Sequence, residues 1–377
     1  MPIVEREAIG TDLGDEDAIF HIQAQNGQLG ATVGSWCSIL RVEVQSTILL
    51  FPGSLWCFTA TLSVDIDPMS GSLPTLGDVL AHWTQNFRER GIDEPESSAE
   101  LILAHAVDKN MVHEVDLSRA MTKTVAARME HMCRRRMKRE PVAYIIGEWD
   151  FHDLTLHIRP PVLIPRPETE ELAALALAGV HACGSGSKLR ESGALLDVGS
   201  GSGALAVFLL TRLPGWRGVS VDISPVACEL TTLNARRHRV FDRLSVHQGD
   251  IHLDSTFRDL ASAGPYDIVV SNPPYITEAE MAALQPEVAL HEDRGALCGG
   301  TDGMVVTRRL LNMAASLLRP HTGRLYLELG LGQPAEVERL VRHGLHDRLR
   351  YLHTRKDFTN RERFCELAAC SGADGSS

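Results

Sequence analysis

The spacing of hydrophobic positions changes along the chain from a helical period to a strand period. Between residues 76 and 107, apolar side chains recur every three or four positions in two stretches separated by Gly91 and Pro95, which predicts two amphipathic helices. A third helix is predicted over residues 122–139, and it ends in a basic run, residues 134–139. Together these elements predict a small helical domain that lacks a catalytic set of residues and suits substrate recognition.

Strand signals begin after the helical region. The alternation of apolar and polar positions over residues 151–158 predicts a β-hairpin. Residues 164–172 then predict the start of a helix. Pro167 suits the first helical turn, and the acidic residues that follow it complement the positive end of the helix dipole.

Beyond Gly193, short apolar strands alternate with helical patterns. The strand candidates are residues 195–198, 218–222, 244–248, 266–270 and 324–329. Repeated β-then-α units predict a mainly parallel sheet with helices on both faces, so the expected fold class is α/β. The last two apolar segments, residues 349–354 and 363–369, are close enough in sequence to pair as an antiparallel hairpin at the sheet edge.

The first 70 residues differ in composition from the rest of the chain. They hold nine acidic and two basic residues, and so carry −7 of the formal net charge of −12. Their apolar runs predict short strands or an irregular segment, and a Pro, Gly and Ser cluster at residues 67–74 predicts a linker. We therefore predict five regions: an N-terminal extension of unassigned role (1–70), the helical domain (71–146), a connecting β-hairpin (147–165), the α/β domain (166–370) and a flexible tail (371–377).

Composition narrows the classes of function. The net acidity disfavours a protein that holds nucleic acid through a broad basic surface, and we interpret the basic run 134–139 as a solvated helix face. The eight cysteines lack the spacing of a zinc site or a disulfide framework, and the histidines lack metal-ligand spacing. No apolar run reaches the roughly 18 residues that a membrane span needs. We expect no metal, no stable nucleic-acid complex and no membrane partner.

A glycine-rich turn follows the first strand of the α/β region. Its sequence is Gly199-Ser200-Gly201-Ser202-Gly203, and we call these five residues the glycine loop. Alternate glycines let the backbone turn sharply and approach a ligand at the carboxyl end of a strand, where doubly wound sheets bind nucleotides. The pattern also fits the dinucleotide-binding fingerprint, so a nicotinamide-dependent oxidoreductase stays open at this point.

Acidic residues follow the next two strands. Asp222 ends the second strand, where a carboxylate can accept hydrogen bonds from both ribose hydroxyls of an adenosine. Asp250 and Ile251 follow the third strand and are candidates to contact the adenine amino group and the face of the ring. With the glycine loop, these residues predict a site for a nucleoside-bearing cofactor.

The fourth strand ends in Asn272-Pro273-Pro274-Tyr275, which we call the acceptor loop. Both prolines have a fixed φ and no N–H, and Asn272 is pushed to an extended backbone by the proline after it. An acceptor NH₂ group can donate one hydrogen to the Asn272 side-chain oxygen and the other to the Pro273 carbonyl. Tyr275 can pack against the planar group that carries the nitrogen.

This loop suits methyl transfer to a planar NH₂ group. An amide nitrogen is a poor nucleophile because its lone pair is delocalised, so it must be held in line with an activated methyl group such as that of S-adenosylmethionine. Two hydrogen bonds can hold it there, and effective molarities of ~10⁵ M or more are reached by well-oriented groups. The loop therefore predicts catalysis by positioning, without a strong base, a metal or a nucleophilic triad.

The glycine loop, Asp222 and the acceptor loop, in this order, resemble the Rossmann-like class I methyltransferases that carry an NPPY motif. Other segments are more specific. Gly147-Glu-Trp-Asp-Phe151, residues 161–172 and Arg355-Lys-Asp-Phe358 resemble the HemK/PrmC family, and the resemblance runs from about residue 76 to residue 369. The first of these segments is similar to the animal mitochondrial branch of that family.

The resemblance implies methylation of the glutamine in the Gly-Gly-Gln motif of class I peptide chain release factors, with an N-terminal helical domain that helps to grip the substrate. It implies that S-adenosylmethionine contacts the glycine loop, Asp222 and Asn272, and that the acceptor loop holds the glutamine, with Asn272, Pro273 and Tyr275 catalytic. Ile251 stands where some bacterial members have an aromatic residue beside adenine. A mitochondrial location is implied by the resemblance alone, since the N-terminus lacks transit-peptide character; the alternative is cytoplasmic.

Three other functions stay open at this stage. A nucleic-acid amino methyltransferase shares the acceptor loop, but it is expected to add a basic surface or a target-recognition domain. A nicotinamide-dependent oxidoreductase shares the glycine loop and Asp222, but gives the acceptor loop no role. A non-enzymatic scaffold could retain S-adenosylmethionine, yet no residue of the acceptor loop is missing.

Overall fold

The computed structural model describes residues 73–182 and 191–370 in full and, before them, the backbone of four strands. By its internal contacts the chain divides into two compact units, Met1–Pro74 and Thr75–Ser377. The predicted tail, residues 371–377, and most of the predicted linker lie outside the described residues.

The first unit contains two antiparallel β-hairpins. Its strands are β1 (Ile22–Gln25), β2 (Gln28–Ala31), β3 (Leu40–Leu50) and β4 (Trp56–Ile66). The expectation of short strands or an irregular segment is wrong for β3 and β4, which have 11 residues each. Arg41 and Glu43 alternate with valines, as polar positions do along one continuous strand.

The second unit begins with four helices that share a hydrophobic core. They are α1 (Leu76–Glu89), α2 (Pro95–Ala106), α3 (Lys123–Met137) and α4 (Val142–Ile146). Thr75 starts α1 with a capping box: its hydroxyl accepts from the Asp78 N–H at 3.1 Å, and the Asp78 carboxylate accepts from the Thr75 N–H at 2.9 Å. The core of this domain includes the fully or nearly fully buried side chains of Trp83, Phe87, Ile102 and Met129.

A hairpin and a long helix connect the helical domain to the sheet. The hairpin consists of β5 (Glu148–Phe151) and β6 (Leu154–His157), and it is followed by α5 (Pro167–Ala182). Pro167 occupies the first helical position, where its missing N–H costs no intrahelical bond. Phe151 is fully buried in the core that also contains Leu172 of α5.

Seven strands form the central sheet, in the spatial order β12-β13-β11-β10-β7-β8-β9. They are β7 (Gly193–Val198), β8 (Trp216–Asp222), β9 (Leu244–Gln248), β10 (Ile268–Ser271), β11 (Arg324–Glu328), β12 (Leu349–Lys356) and β13 (Glu362–Ala369). Strand β13 pairs antiparallel with both β11 and β12, and the other pairs are parallel. The mainly parallel sheet with an antiparallel edge hairpin is confirmed.

The order of the strands reverses between β7 and β10. From β7 the chain proceeds outward to β8 and β9, and then returns to build β10 and β11 on the other side. Open α/β sheets bind ligands in the crevice at such a switch point, outside the carboxyl ends of the strands. The topology therefore places the glycine loop and the acceptor loop, which follow β7 and β10, at the same crevice.

Helices cover both faces of the sheet. After α5 the chain forms the helices α6 (Ala204–Arg212), α7 (Pro225–Arg237), α8 (Asp254–Ala263), α9 (Pro286–His291), α10 (Arg294–Leu297), α11 (Val305–Leu317) and α12 (Gln333–Leu340), the last continued by a π-helical turn (Val341–Leu345). Neighbouring residues of β7 point to opposite faces of the sheet and pack in different hydrophobic cores. Leu195 packs with α5 and α6, and Leu196 packs with α11. No helix in the described ranges combines the length and apolar character needed to cross a bilayer.

The interpretation of the basic run 134–139 as a solvated helix face holds for the exposed Arg134 and Lys138 but is wrong for Arg136. Arg136 is only 5% exposed and donates hydrogen bonds to the Ser98 hydroxyl at 3.1 Å and to the Glu287 carboxylate at 2.9 Å. Arg135 donates to both carboxylate oxygens of Glu140. A run of charges in a sequence does not reveal partners that lie far along the chain, and Glu287 is 151 positions from Arg136.

Candidate active site

The glycine loop turns the chain at the carboxyl end of β7. Gly199, Gly201 and Gly203 have φ values of +73°, +54° and +82°, a region that other residues rarely adopt. The Gly199 N–H donates to the Val221 carbonyl of β8 at 2.8 Å, which holds the start of the loop against the neighbouring strand. A Cβ added to Gly201 would meet its nearest protein atom at 3.9 Å, so a ligand can approach the backbone there.

The two serines of the glycine loop are buried, at 6% exposure for Ser200 and 3% for Ser202. The Ser200 hydroxyl accepts a hydrogen bond from Thr231 of α7 at 3.1 Å, and the Ser202 carbonyl accepts from the Asn234 side chain at 2.9 Å. Both serines therefore hold the loop against α7.

Asp222 fixes the glycine loop from the end of β8. One carboxylate oxygen accepts from the Gly201 N–H and the other from the Ser224 N–H, both at 2.9 Å. Burial raises the pKa of Asp222, and these two backbone hydrogen bonds oppose the shift. Each carboxylate oxygen retains a lone pair, so the group can still accept hydrogen bonds from a ligand.

The acceptor loop lies beside the glycine loop. The Ser271 hydroxyl donates to the Val198 carbonyl at 2.6 Å and so ties the ends of β10 and β7 together. A Cβ added to Gly199 would lie 4.0 Å from the Asn272 carbonyl oxygen. The structure therefore brings together two of the predicted groups of site residues, from positions more than 70 residues apart.

The Asn272 side chain is held by a hydrogen bond from its nitrogen. Its Nδ2 atom donates to the Thr169 hydroxyl at 3.0 Å. Within residues 73–182 and 191–370, no hydrogen bond reaches the Asn272 Oδ1 atom or the Pro273 carbonyl oxygen. Two acceptors of adjacent residues thus remain available to a group that donates two hydrogens.

Thr169 and Glu328 form a buried layer behind the acceptor loop that sequence reasoning missed. The Thr169 hydroxyl donates to one Glu328 oxygen at 2.7 Å, and the Tyr275 hydroxyl donates to the other at 3.4 Å. Burial raises the pKa of Glu328 to about 7, and burial with the nearby Glu328 carboxylate raises the pKa of Tyr275. The available signal for Glu328 was an acid that directly follows the apolar residues 325–327 at the end of a strand.

A second, glycine-rich turn supports the acceptor loop from behind. Added Cβ atoms would lie 2.5 Å from the Pro274 carbonyl oxygen at Gly299 and 2.3 Å from the Tyr275 carbonyl oxygen at Gly303, so only glycine fits. The Gln333 side chain also donates to the Tyr275 carbonyl, at 2.9 Å. These contacts hold the backbone of the loop in one position.

Asp250 and Ile251 lie apart from these contacts. Strand β9 ends at Gln248, and Asp250 follows it with one oxygen accepting from the His252 N–H at 2.8 Å. Ile251 is 8% exposed and belongs to the core that includes Val198 and Leu310. Their assignment to the adenine stays a prediction.

Asp197, inside β7, is a further acid that sequence reasoning did not single out. It is 1% exposed, and one oxygen accepts from the Ala206 N–H at 3.3 Å. The other oxygen has no hydrogen-bond partner in the described part of the chain. Burial raises the pKa of this carboxyl to about 7. The described residues contain no cluster of His, Cys, Asp or Glu side chains suited to a metal ion.

Comparison with known proteins identifies both parts of the second unit. Residues 78–147 match the model of the PrmC N-terminal domain, and residues 186–327 match that of the methyltransferase small domain. The human MTRF1L release factor glutamine methyltransferase is 37% identical over 83% of this chain and 92% of its own length. The release factor glutamine methyltransferase of Chlorobaculum tepidum is 40% identical over 68% of this chain and 85% of its own length.

A solved structure, the protein-(glutamine-N5) methyltransferase (release factor-specific) from Alicyclobacillus acidocaldarius, is 25% identical, with a TM-score of 0.35 over 57% of this chain and 99% of that chain. The parallel sheet, its strand order and the matched models define a Rossmann-like methyltransferase, and the chain is an enzyme of that class. Within the class, it belongs to the release factor glutamine methyltransferase (HemK/PrmC) family.

Proposed function

We propose that this enzyme transfers the methyl group of S-adenosylmethionine to the N5 nitrogen of the glutamine in the Gly-Gly-Gln motif of a class I peptide chain release factor. The observation that carries the proposal is the direction of the Asn272 side chain. Its NH₂ group is engaged by Thr169, so its oxygen is left, beside the Pro273 carbonyl, for an acceptor that donates two hydrogens. The glutamine carboxamide is such a group.

The residues at the switch point fit S-adenosylmethionine. The glycine loop exposes backbone to a ligand, and Asp222 offers two oxygens, each with a lone pair, to the ribose hydroxyls. When bound, the cofactor supplies a methyl group activated by a positively charged sulfur. Asp222 and the loop backbone hold and orient this donor, and Asn272 lies on the side of the crevice toward the acceptor.

The acceptor loop positions the glutamine amide nitrogen and takes no part in acid–base chemistry. Asn272 and Pro273 each accept one N–H of the glutamine amide, which leaves the face of the nitrogen directed at the methyl group, and the Tyr275 ring packs against the amide plane. Pro274 keeps the loop stiff because it fixes φ and has no N–H. The amide nitrogen gains a methyl group and loses a proton to water.

A protein acceptor accounts for the surface charges better than a nucleic acid does. Two residues of the basic run 134–139 are paired with acids inside the molecule, Arg135 with Glu140 and Arg136 with Glu287, so the run does not present an unbroken phosphate-binding strip. We assign the helical domain, α1 to α4, to gripping the release factor. We propose neither a stable nucleic-acid complex nor a membrane partner.

Methyl transfer to purified release factors tests the proposal. The protein is incubated with isotopically labelled S-adenosylmethionine and either a release factor, a variant of it with alanine for the Gly-Gly-Gln glutamine, or ribosomal and genomic nucleic acid. We expect label in the unmodified release factor only, located on the glutamine by peptide mass spectrometry. Label in nucleic acid alone contradicts the proposal.

We place the enzyme in mitochondria, because of its resemblance to the animal branch of the family; the cytoplasm is the alternative. Fractionation of cells that express the full chain with a C-terminal tag distinguishes the two. Co-purification with matrix markers supports the mitochondrial assignment, and recovery with cytosolic markers contradicts it.

A further inference from the structure

Two hydrogen bonds connect Asn272 to a buried carboxyl group behind the acceptor loop, and a third reaches the same carboxyl group from Tyr275. Asn272 Nδ2 donates to Thr169 Oγ1 at 3.0 Å, Thr169 Oγ1 donates to Glu328 Oε2 at 2.7 Å, and Tyr275 Oη donates to Glu328 Oε1 at 3.4 Å. Thr169 is 6% exposed and Glu328 is 1% exposed. We call Asn272, Thr169, Glu328 and Tyr275 the relay.

The ionised state of Glu328 determines the direction of every bond in the relay. A carboxylate can only accept hydrogen bonds, so the single Thr169 hydroxyl hydrogen must point at Glu328. The Thr169 oxygen can then only accept from Asn272, which turns the Asn272 nitrogen inward and its oxygen outward. With a protonated Glu328, the Thr169 hydrogen is free to point at Asn272, and the reversed carboxamide, with its nitrogen outward, becomes compatible with the relay.

We propose that Thr169 and Glu328 are positioning residues that set the direction of the Asn272 carboxamide, and with it the specificity of the site for an acceptor NH₂ group. The inference rests on the proposed function and deepens it. A reversed Asn272 carboxamide would turn its own NH₂ group toward the NH₂ group of the glutamine, and two hydrogen-bond donors cannot pair. The glutamine nitrogen would then not be held in line with the methyl group.

The sequence places both residues where they are needed. Thr169 lies in the first turn of α5, where its N–H donates to the Arg166 carbonyl at 3.0 Å. Glu328 is the last residue of β11, the strand beside β10, which leads into the acceptor loop. The start of a helix and the end of a neighbouring strand thus converge on Asn272.

Charged groups on two other elements, α5 and β13, act on Glu328. Burial raises its pKa to about 7; Glu168 of α5 acts in the same direction, and Arg363 of β13 and the hydrogen bonds from Thr169 and Tyr275 oppose it. The carboxyl therefore titrates near neutral pH, and ionisation favours the outward oxygen. We expect kcat to rise with pH through about 7 for this reason.

Three threonine variants test the relay in the full-length protein. Thr169→Val removes the hydroxyl and is expected to lower kcat roughly 10- to 100-fold, the loss for one charge-assisted hydrogen bond used in the transition state, with KM for the release factor and S-adenosylmethionine affinity little changed. Thr169→Ser restores the hydroxyl and is expected to recover most of kcat. Thr307→Val is the matched control, because Thr307 is fully buried in α11 and its hydroxyl has no partner in the described residues.

Glu328→Gln provides the pH test. A glutamine can donate as well as accept, so it no longer forces the Thr169 hydrogen in one direction. We expect a lower kcat than wild type at pH ~8 and loss of the rise in kcat through pH ~7. Thermal denaturation of each variant separates loss of positioning from loss of fold.

The results distinguish failure of the proposed function from failure of the relay. A wild-type enzyme that does not methylate the release factor contradicts the proposed function itself. If the wild type is active, a Thr169→Val enzyme with wild-type kcat overturns the relay, and so does an equal defect in Thr169→Ser or in Thr307→Val. An unchanged pH profile in Glu328→Gln also overturns it.

Discussion

In the proposed reaction Asp222 binds the cofactor and Asn272 positions the methyl acceptor. The two side chains have different hydrogen-bond partners in the structure. The Asp222 carboxylate is bonded to the Gly201 and Ser224 N–H groups on the cofactor side. Asn272 is bonded to Thr169 on the acceptor side. No hydrogen bond joins the two side chains in the described residues, so the two substitutions should have separable effects.

Alanine substitutions at these positions should therefore divide binding from turnover. Asp222→Ala removes the proposed acceptor of the ribose hydroxyls and a hydrogen bond to the glycine loop, so we expect S-adenosylmethionine affinity to fall by at least about tenfold, the loss of one or two hydrogen bonds to a charged group. Asn272→Ala should leave that affinity largely intact and lower kcat. Calorimetry and single-turnover kinetics measure the two quantities. Equal loss of cofactor affinity in both variants would contradict this division of roles.

Asp197 predicts a dependence of stability on pH. Burial raises its pKa from 3.8 to about 7 in the folded chain, so the native state holds this proton more tightly than the unfolded state does. Stability from this group is complete below pH ~4 and is lost as pH rises through ~7.

We expect Asp197→Asn to reduce the fall in the free energy of unfolding between pH ~5 and ~8, measured by urea denaturation without cofactor. Glu328→Ala, which removes a second carboxyl with a raised pKa, provides a comparison with the same expected direction. A pH dependence in Asp197→Asn identical to that of the wild type would rule out this titration as a cause.

At the scale of elements, α3 is anchored to the segment that follows the acceptor loop. Arg136 of α3 and Arg139 just after it both donate to the Glu287 Oε1 atom of α9, at 2.9 and 3.3 Å. The Arg136 and Glu287 side chains are 6% and 12% exposed. A buried ion pair of this kind is costly to break because the remaining charge loses its compensation.

Arg136→Ala should destabilise the protein, but by less than the about 3–5 kcal/mol that removing one partner of an isolated buried ion pair costs, because Arg139 still donates to Glu287. Arg134→Ala is the matched control on the same helix, since the exposed Arg134 pairs with Glu130 at the surface, and it should cost less than about 1 kcal/mol. Urea unfolding of both variants measures the difference. Equal, small losses would show that the contact with Glu287 contributes little.

Elements were predictable from the sequence where local spacing determines them. The three long helices of the helical domain, the parallel strands and the edge hairpin follow from periodicity, and Pro167 begins α5 as its fixed φ suggests. The acceptor loop was predictable because its stiffness is a local property of Asn-Pro-Pro.

The relay and the anchor of α3 were not predictable in the same way. Thr169 lies 103 positions from Asn272 and 159 positions from Glu328, and no local pattern encodes such contacts. The charge run at the end of α3 was misread for the same reason, since burial of Arg136 depends on where Glu287 comes to lie. Side-chain partners across elements require the tertiary structure.

At the scale of the whole molecule, the second unit contains all the parts that the proposed reaction needs. Both matched family models, residues 78–147 and 186–327, and every candidate site residue lie within Thr75–Ser377. This unit begins with the capping box of α1, which satisfies backbone N–H groups at its own start. The first unit holds two hairpins and seven of the excess negative charges.

Removal of residues 1–74 should therefore leave S-adenosylmethionine affinity, kcat and KM for the release factor close to their values in the full chain. The shortened protein has a formal net charge of −5 and keeps every core and site residue described above. Calorimetry, steady-state kinetics and thermal denaturation compare it with the full-length protein. A raised KM with an unchanged cofactor affinity would mean that the N-terminal hairpins take part in binding the release factor, and a lowered unfolding temperature would mean that they stabilise the second unit.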